Sequence, residues 1–159
     1  MWKNSVGYTD ETISLHDCVA NSVEISDGVL SLSFDDGFWV LPDSKYNSCD
    51  ATVRTDKSKI EFVDFDEDMS EFYLFKRHYL FGKRLCTTRK EVKLKEVFEK
   101  INNGEWKIEF NEQYEGFHRV LFFGGITTKK KIWELEFQMV IDCEKIECYW
   151  NNIRPDRKW

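Results

Sequence analysis

The sequence predicts an α+β fold, mainly an antiparallel β-sheet of hairpins and a meander packed with one amphipathic helix. Three patterns predict it: long runs in which apolar and polar residues alternate, an Asp-Gly turn between two such runs, and one stretch with helical apolar spacing. No internal repeat or linker interrupts the 159 residues, so we expect a single domain over residues 1–159.

The first predicted hairpin has its turn at Asp27-Gly28. A two-residue turn there places Ile25 opposite Leu30 and Val23 opposite Leu32, because Asp-Gly suits the positive φ angles that such turns require. Both strands then direct their apolar side chains to the same face.

Two more strands are predicted over residues 59–65 and 71–81, joined by an acidic segment. The second strand carries aromatic residues on both faces. We expect a central strand that the helix and another sheet cover on both sides. The alternative is an exposed face of Tyr and Arg side chains, which are enriched in interface hot spots.

One helix is predicted after residue 88. Thr88 and Glu91 have the spacing of a capping box, in which each side chain satisfies a backbone N–H. An apolar stripe at helical spacing follows, and Asn102-Asn103-Gly104 is typical of a helix end. The stripe consists of Leu94, Val97, Phe98 and Ile101.

A β-meander is predicted after the helix, where apolar and polar residues alternate over residues 106–110 and 133–141. A turn at Cys143-Glu144 would continue the meander into residues 146–150 and place Ile141 opposite Ile146.

Composition and charge limit the classes of partner. The formal net charge is −6, so we expect the surface as a whole to repel nucleic acid and anionic membranes and to favour a basic protein. The N-terminal segment lacks the apolar run of a secretory signal, and no apolar stretch is long enough to cross a bilayer. Five cysteines without a CxxC pair indicate reduced thiols and a cytoplasmic location.

Few residues are candidates for chemistry. His16 and Cys18 could converge on one face of a strand, but Asp17 would point away from them, so a catalytic or metal role is the less favoured interpretation. His78 is interpreted as a core or half-exposed side chain and His118 as a core side chain. We predict neither a cofactor nor a metal site, because GxSxG, phosphate-loop, dinucleotide, HExxH and CxxC motifs are absent.

The strongest binding candidate is a cluster of carboxylates between the two strands described above. It consists of Asp64, Asp66, Glu67, Asp68 and Glu71, with Tyr73 and Tyr79 as possible anchors for a partner. The alternative is a solvated turn. Basic residues at 83–95 and three lysines at 129–131 are interpreted as ordinary solubility devices.

Two resemblances bear on function. Leu15-His16-Asp17-Cys18, with the hairpin and residues 32–39, resembles the opening of small uncharacterised proteins of Gram-positive bacteria. In type, a compact, acidic, β-rich chain without catalytic motifs resembles the immunity proteins of polymorphic toxin systems. That resemblance implies a non-catalytic protein that covers the active site of a basic toxin.

Two alternatives remain open. One is a ligand-binding or enzymatic β-domain with an aromatic-lined pocket, in which His16, Cys18 and His78 are the plausible reactive groups. The other is a scaffold that pairs with itself through an edge strand. We expect a monomer or a weak homodimer.

Overall fold

β-Strands dominate the structure, which a computed structural model describes for residues 1–9, 12–128 and 135–159. The predicted α+β class with one helix is confirmed. In chain order the elements are β1 (Asn4–Gly7), β2 (Ile13–Ser14), β3 (Cys18–Ala20), β4 (Ser22–Ser26), β5 (Val29–Phe34), β6 (Trp39–Val40), β7 (Val53–Thr55), β8 (Ser58–Val63), β9 (Asp66–Leu80), β10 (Lys83–Glu91), α1 (Leu94–Asn102), β11 (Trp106–Gly116), β12 (Arg119–Thr128), β13 (Leu135–Asp142), β14 (Lys145–Trp150) and β15 (Ile153–Lys158). Trp133, Glu134 and the three lysines of residues 129–131 lie outside the described residues.

The strands form three antiparallel sheets. One has the order β1-β14-β8-β5-β4, a second β10-β9-β13-β12-β11-β3, and a third, smaller sheet β15-β7-β6-β2. The two larger sheets share a core: the rings of Phe34 and Phe110 lie 5.9 Å apart, as do those of Phe62 and Phe122. Alternating apolar residues of both sheets meet between them, as in sheet-on-sheet packing.

The first hairpin is confirmed in its register. Ile25 pairs with Leu30 and Val23 with Leu32. Asp27 and Gly28 have φ angles of 53° and 77°, so both central residues of the turn adopt the left-handed conformation of a type I′ turn.

The meander is confirmed through β11, β12 and β13, but the hairpin predicted at Cys143-Glu144 is wrong. β13 pairs with β12 and β9, whereas β14 pairs with β1 and β8 in the opposite sheet. The chain crosses between the sheets at this point, where Cys143 N donates to His118 O and Glu144 N donates to Val63 O. Alternation of apolar and polar residues determines which face of each strand is buried. It does not determine which strand pairs with it, so the predicted hairpin was only one of the possible pairings.

The helix is confirmed, but its predicted capping box is wrong. The four apolar residues of the stripe are buried, and the helix ends at Asn102. Thr88 instead lies in β10, which pairs with β9, and the N-cap residue Lys93 makes no side-chain capping bond. Eight residues of β10 pair with β9, and this ladder outweighs one local capping signal. Asn102 then joins the helix to the first sheet, because its side-chain amide exchanges two 2.8 Å hydrogen bonds with the backbone of Val23.

The expectation that β9 is covered on both sides is wrong. Phe72 is fully buried, but Tyr79 and Leu80 are 58% and 53% exposed. Within the described residues, the ladder between β9 and β13 ends where Lys76 pairs with Leu135, and residues 77–80 pair with β10 alone. Arg77 and Tyr79 on one face and Lys76 and Leu80 on the other are exposed, so solvent reaches both faces at this end of the strand.

Candidate functional site

The five predicted carboxylates lie together at one end of the six-stranded sheet, and we call this cluster the acidic end. It comprises Asp64, Asp66, Glu67, Asp68 and Glu71, all exposed. Asp64 occupies the bend before β9, and the other four lie in the first residues of that strand. The bend is attached to the first hairpin, since Phe65 N donates to Gly28 O at 2.8 Å.

Hydrogen bonds fix the backbone of the acidic end. The Asp66 carboxylate accepts from the backbone N–H groups of Asp68 at 2.9 Å and Met69 at 3.1 Å. The buried hydroxyl of Ser70 donates to Asp66 O and accepts from Asp142 N. The bond from Asp142 N joins β9 to β13, and the other three fix the backbone that carries the carboxylates.

Within the described residues, no ion pair neutralises the charge of the acidic end. None of its five carboxylates forms an ion pair with any residue of the ranges 1–9, 12–128 and 135–159. Glu71 accepts a 2.9 Å hydrogen bond from the Tyr73 hydroxyl, and this bond raises the pKa of Tyr73. An unpaired group of carboxylates attracts cationic side chains of a partner.

Two exposed apolar side chains lie in or near the acidic end. Met69 lies within it and is 50% exposed, and Phe117 is 90% exposed at the turn between β11 and β12. One cross-strand row links them: Asp66 pairs with Asp142, and Asp142 pairs with Arg119, which closes the turn that carries Phe117. At about 4.8 Å per strand, the turn lies about 14 Å from Asp66.

The two predicted tyrosine anchors do not join the acidic end as a pair. Tyr73 is half-buried, and the Arg89 guanidinium lies 3.6 Å from its ring centroid. Tyr79 follows Glu71 by eight residues, which is about 26 Å along an extended strand. Sequence reasoning missed Met69 and Phe117. For Phe117, the Gly116 that precedes it was a turn signal, but the alternating run beyond it favoured a continuous strand.

The far end of β9 forms a second surface, which we call the cationic arm and define as residues 76–90 of the hairpin formed by β9 and β10. Residues 72–90 contain six Lys and Arg and no Asp or Glu. The same arm exposes four large apolar side chains: Tyr79 (58%), Leu80 (53%), Phe81 (96%) and Leu85 (67%). Contiguous exposed apolar side chains surrounded by charge are typical of an interaction site.

The candidate chemical site around His16 does not hold an activated thiol. Cys18 is buried, and burial raises its pKa to about 12, so the thiolate that would act as nucleophile is scarce at neutral pH. The Cys18 sulfur lies 3.5 Å from the backbone oxygen of His16. The expectation that Asp17 points away is wrong, because its φ of 56° brings its carboxylate to 3.5 Å from His16 Nε2.

The other histidines do not add to this site. His78 is half-buried on the cationic arm, and its Nε2 lies 3.0 Å from the Thr88 hydroxyl. The core position predicted for His118 is wrong: it is exposed in the turn before β12, with a φ of 56°. Four strand positions separate β9 from β3 in the sheet, so His78 and His16 lie far apart. No group of three or more His, Cys, Asp or Glu side chains in the described ranges is arranged to hold a metal ion.

Two clefts open on either side of the β11 bulge at residues 110–112. One, of about 300 Å³, is lined by His16 and Gln113 among others. The other, of about 360 Å³, is lined by Phe75, Phe123 and Phe137. Gly124 lines the second cleft, and only glycine fits there because a Cβ would lie 1.9 Å from Glu109 O and 2.6 Å from the Phe137 ring.

Comparisons with protein-family models, with curated proteins and with solved structures find no match to this chain. In the part of the chain that the structure describes, the one helix has nine residues and is too short and too polar to traverse a bilayer.

Proposed function

We propose that this chain is a non-catalytic protein-binding module, an immunity-type inhibitor of a basic bacterial toxin that acts in the cytoplasm. The observation that carries the proposal is the acidic end: its exposed carboxylates form no ion pair among the described residues, and Met69 and Phe117 are exposed near them. Charged groups around a few apolar anchors are the usual composition of a steered protein interface.

The distribution of charge supports a basic partner. Six of the 23 Lys and Arg lie within residues 72–90, and none of the 29 Asp and Glu does. The rest of the chain therefore carries 17 Lys and Arg against 29 Asp and Glu. A field of this sign accelerates association with a cationic protein, and the rate falls as salt screens it.

The resemblance in type to toxin-immunity proteins supports the choice of a toxin. Toxins that act on nucleic acid are themselves basic, and an acidic inhibitor that covers their active site gains both speed and specificity from opposite charge. Five unpaired cysteines, three of them buried, agree with a reducing cytoplasm. A cationic edge strand disfavours pairing with a second copy, so we propose a monomer.

The experiment uses the protein encoded next to this chain as the probe and measures its affinity by calorimetry. The test variant carries Glu67→Lys, Asp68→Lys and Glu71→Lys, which spares the backbone bonds of Asp66. The matched control carries Asp43→Lys, Asp50→Lys and Asp156→Lys, an equal charge change at exposed residues elsewhere. We expect the test variant to lose about 100-fold or more in affinity and the control to lose less than about tenfold.

Phe117→Ala tests the anchor separately and should weaken binding by about tenfold, because it removes an apolar contact and no charge. Equal losses in the test and control variants would mean that net charge alone attracts the partner. Failure of the wild-type protein to bind a basic neighbour would remove the immunity proposal.

A second candidate function is ligand binding, favoured by the cleft of about 360 Å³ between Phe75, Phe123 and Phe137. A cleft of this size with an aromatic lining suits a small organic ligand. Native mass spectrometry of the purified protein tests it: a bound molecule that Phe123→Ala releases supports this function. His16→Ala and Cys18→Ala then separate binding from chemistry, since an enzyme that uses either group would lose turnover.

A further inference from the structure

We propose that the tip of the cationic arm inserts into the surface of an anionic lipid bilayer. This inference goes beyond the proposed function and uses the opposite end of β9. The observation behind it is the set of exposed apolar side chains at the hairpin tip with cations directly beside them.

The apolar side chains surround the tip. Tyr79 and Leu80 are consecutive in a strand, so they point to opposite faces of the hairpin. Phe81 lies at the apex and is 96% exposed, and Leu85 is 67% exposed on the returning strand. A flat partner contacts one face of a hairpin, whereas the acyl region of a bilayer surrounds an inserted tip on all sides.

Cations are positioned where lipid headgroups would lie. Lys83 pairs with Leu80, and Arg84 pairs with Tyr79, so each cation lies across the ladder from an apolar residue. Lys76 and Arg77 lie in the same strand, three and two residues before Tyr79 and so further from the tip. Lys and Arg side chains are long enough to reach phosphate groups while the apolar tip lies deeper.

The residue at the apex, Phe81, does not suit the backbone conformation of its turn. Phe81 and Gly82 have φ angles of 49° and 75°, nearly those of Asp27 and Gly28 in the first hairpin. Asp and Asn tolerate the left-handed conformation at this position, and a bulky aromatic residue is strained there. Strained backbone conformations occur mainly at functional sites, so the strain at this exposed apex supports a role for Phe81 in binding.

The composition of the tip distinguishes lipid from the other anionic partners. Nucleic acid is bound by flat aromatic rings on which bases stack, but two of the four exposed side chains, Leu80 and Leu85, are aliphatic. An acidic protein would contact the cations on one face and leave the other face exposed. The negative net charge predicts that the surface as a whole repels anionic lipid. The acidic end lies about 26 Å or more along β9 from Tyr79, so its charge is screened from a membrane at the tip.

The experiment measures sedimentation of the full chain with vesicles of phosphatidylcholine that contain about 30 mol % phosphatidylserine. We expect binding that decreases with salt and is at least tenfold weaker on phosphatidylcholine alone. Phe81→Asn should reduce binding by about tenfold or more, because it removes the apex side chain while Asn-Gly keeps the turn. Phe117→Asn, at another exposed hairpin tip, is the matched control and should leave vesicle binding unchanged.

Paired substitution of Lys83→Gln and Arg84→Gln should lower binding about tenfold and reduce its salt dependence. The acidic-end variant with three lysines should retain vesicle binding, which separates this inference from the proposed function. Absence of binding to the anionic vesicles, equal binding by Phe81→Asn, or equal binding to phosphatidylcholine alone would overturn the inference. Binding to a single-stranded oligonucleotide or an acidic protein in place of vesicles, lost in Phe81→Asn, would overturn it as well.

Discussion

The two ends of β9 carry opposite charges and differ in the strands that hold them. Its first residues carry the acidic end and are held to β13, where Ser70 Oγ accepts from Asp142 N. Its last residues belong to the cationic arm and pair with β10 alone within the described ranges. Fifteen residues of one strand thus present opposite charges at its two ends. The net charge of −6 averages over this separation, and the strand assignment places both ends on one strand.

The middle of β9 is expected to hold both ends in place, and Phe72→Ala tests this with the largest effect. Phe72 is fully buried, and its ring stacks on Phe137 at 5.4 Å. Truncation should lower the free energy of unfolding by about 3–5 kcal/mol, because it removes apolar burial and leaves a cavity. Urea denaturation measures it, with the half-buried Phe75→Ala as the control at about 1 kcal/mol. A loss below about 1 kcal/mol at Phe72 would mean that the strand is held elsewhere.

Thiol reactivity compares the arm with the body. Cys86 is exposed on the arm, whereas burial keeps Cys18 covered and raises its pKa to about 12. At pH 8 a maleimide should modify Cys86 at least about 100-fold faster than Cys18, which needs the sheet to open first. Peptide mapping by mass spectrometry measures both rates, and Cys86→Ser should abolish the fast reaction. Equal rates at the two cysteines would show that the body opens as readily as the arm.

The five carboxylates of the acidic end should not be equivalent in stability. Asp66→Ala removes the acceptor of two backbone N–H groups and should cost about 1 kcal/mol, whereas Glu67→Ala should change stability by less than about 0.5 kcal/mol. Asp66→Asn keeps an acceptor oxygen and should recover most of the loss. Thermal unfolding compares the three variants. Equal effects of Asp66→Ala and Glu67→Ala would mean that the bonds to Asp68 and Met69 add nothing in solution.

Local patterns in the sequence predicted the features that neighbouring residues determine, namely turns, hairpin register and the buried face of the helix. The register of the first hairpin follows from Asp27-Gly28 and the alternation around it, and the buried face of α1 follows from its apolar spacing. Patterns could not predict which strands pair over long distances. The turn at Cys143-Glu144 fits a hairpin in sequence, yet β13 and β14 join different sheets.

The candidate site shows the same limit. The five carboxylates lie within eight residues of the chain, so the sequence located the acidic end directly. Phe117 reaches it through three strands, and its proximity depends on the pairing of β9 with β13 and of β13 with β12. The exposure of the cationic arm depends on what packs against the last residues of β9, which no pattern within residues 71–81 records.

A small predicted effect compares the turns at Asp27-Gly28 and Phe81-Gly82, which have similar φ angles. Phe81→Asn should raise the free energy of unfolding by about 0.5 kcal/mol, because Asn-Gly fits this turn and Phe81, at 96% exposure, buries almost nothing. The reciprocal change, Asp27→Phe, should lower it by a similar amount. Urea denaturation of both variants measures the difference. If Phe81→Asn instead destabilised the protein, the ring would have to make contacts within the folded chain, and the apex would not be free to enter a bilayer.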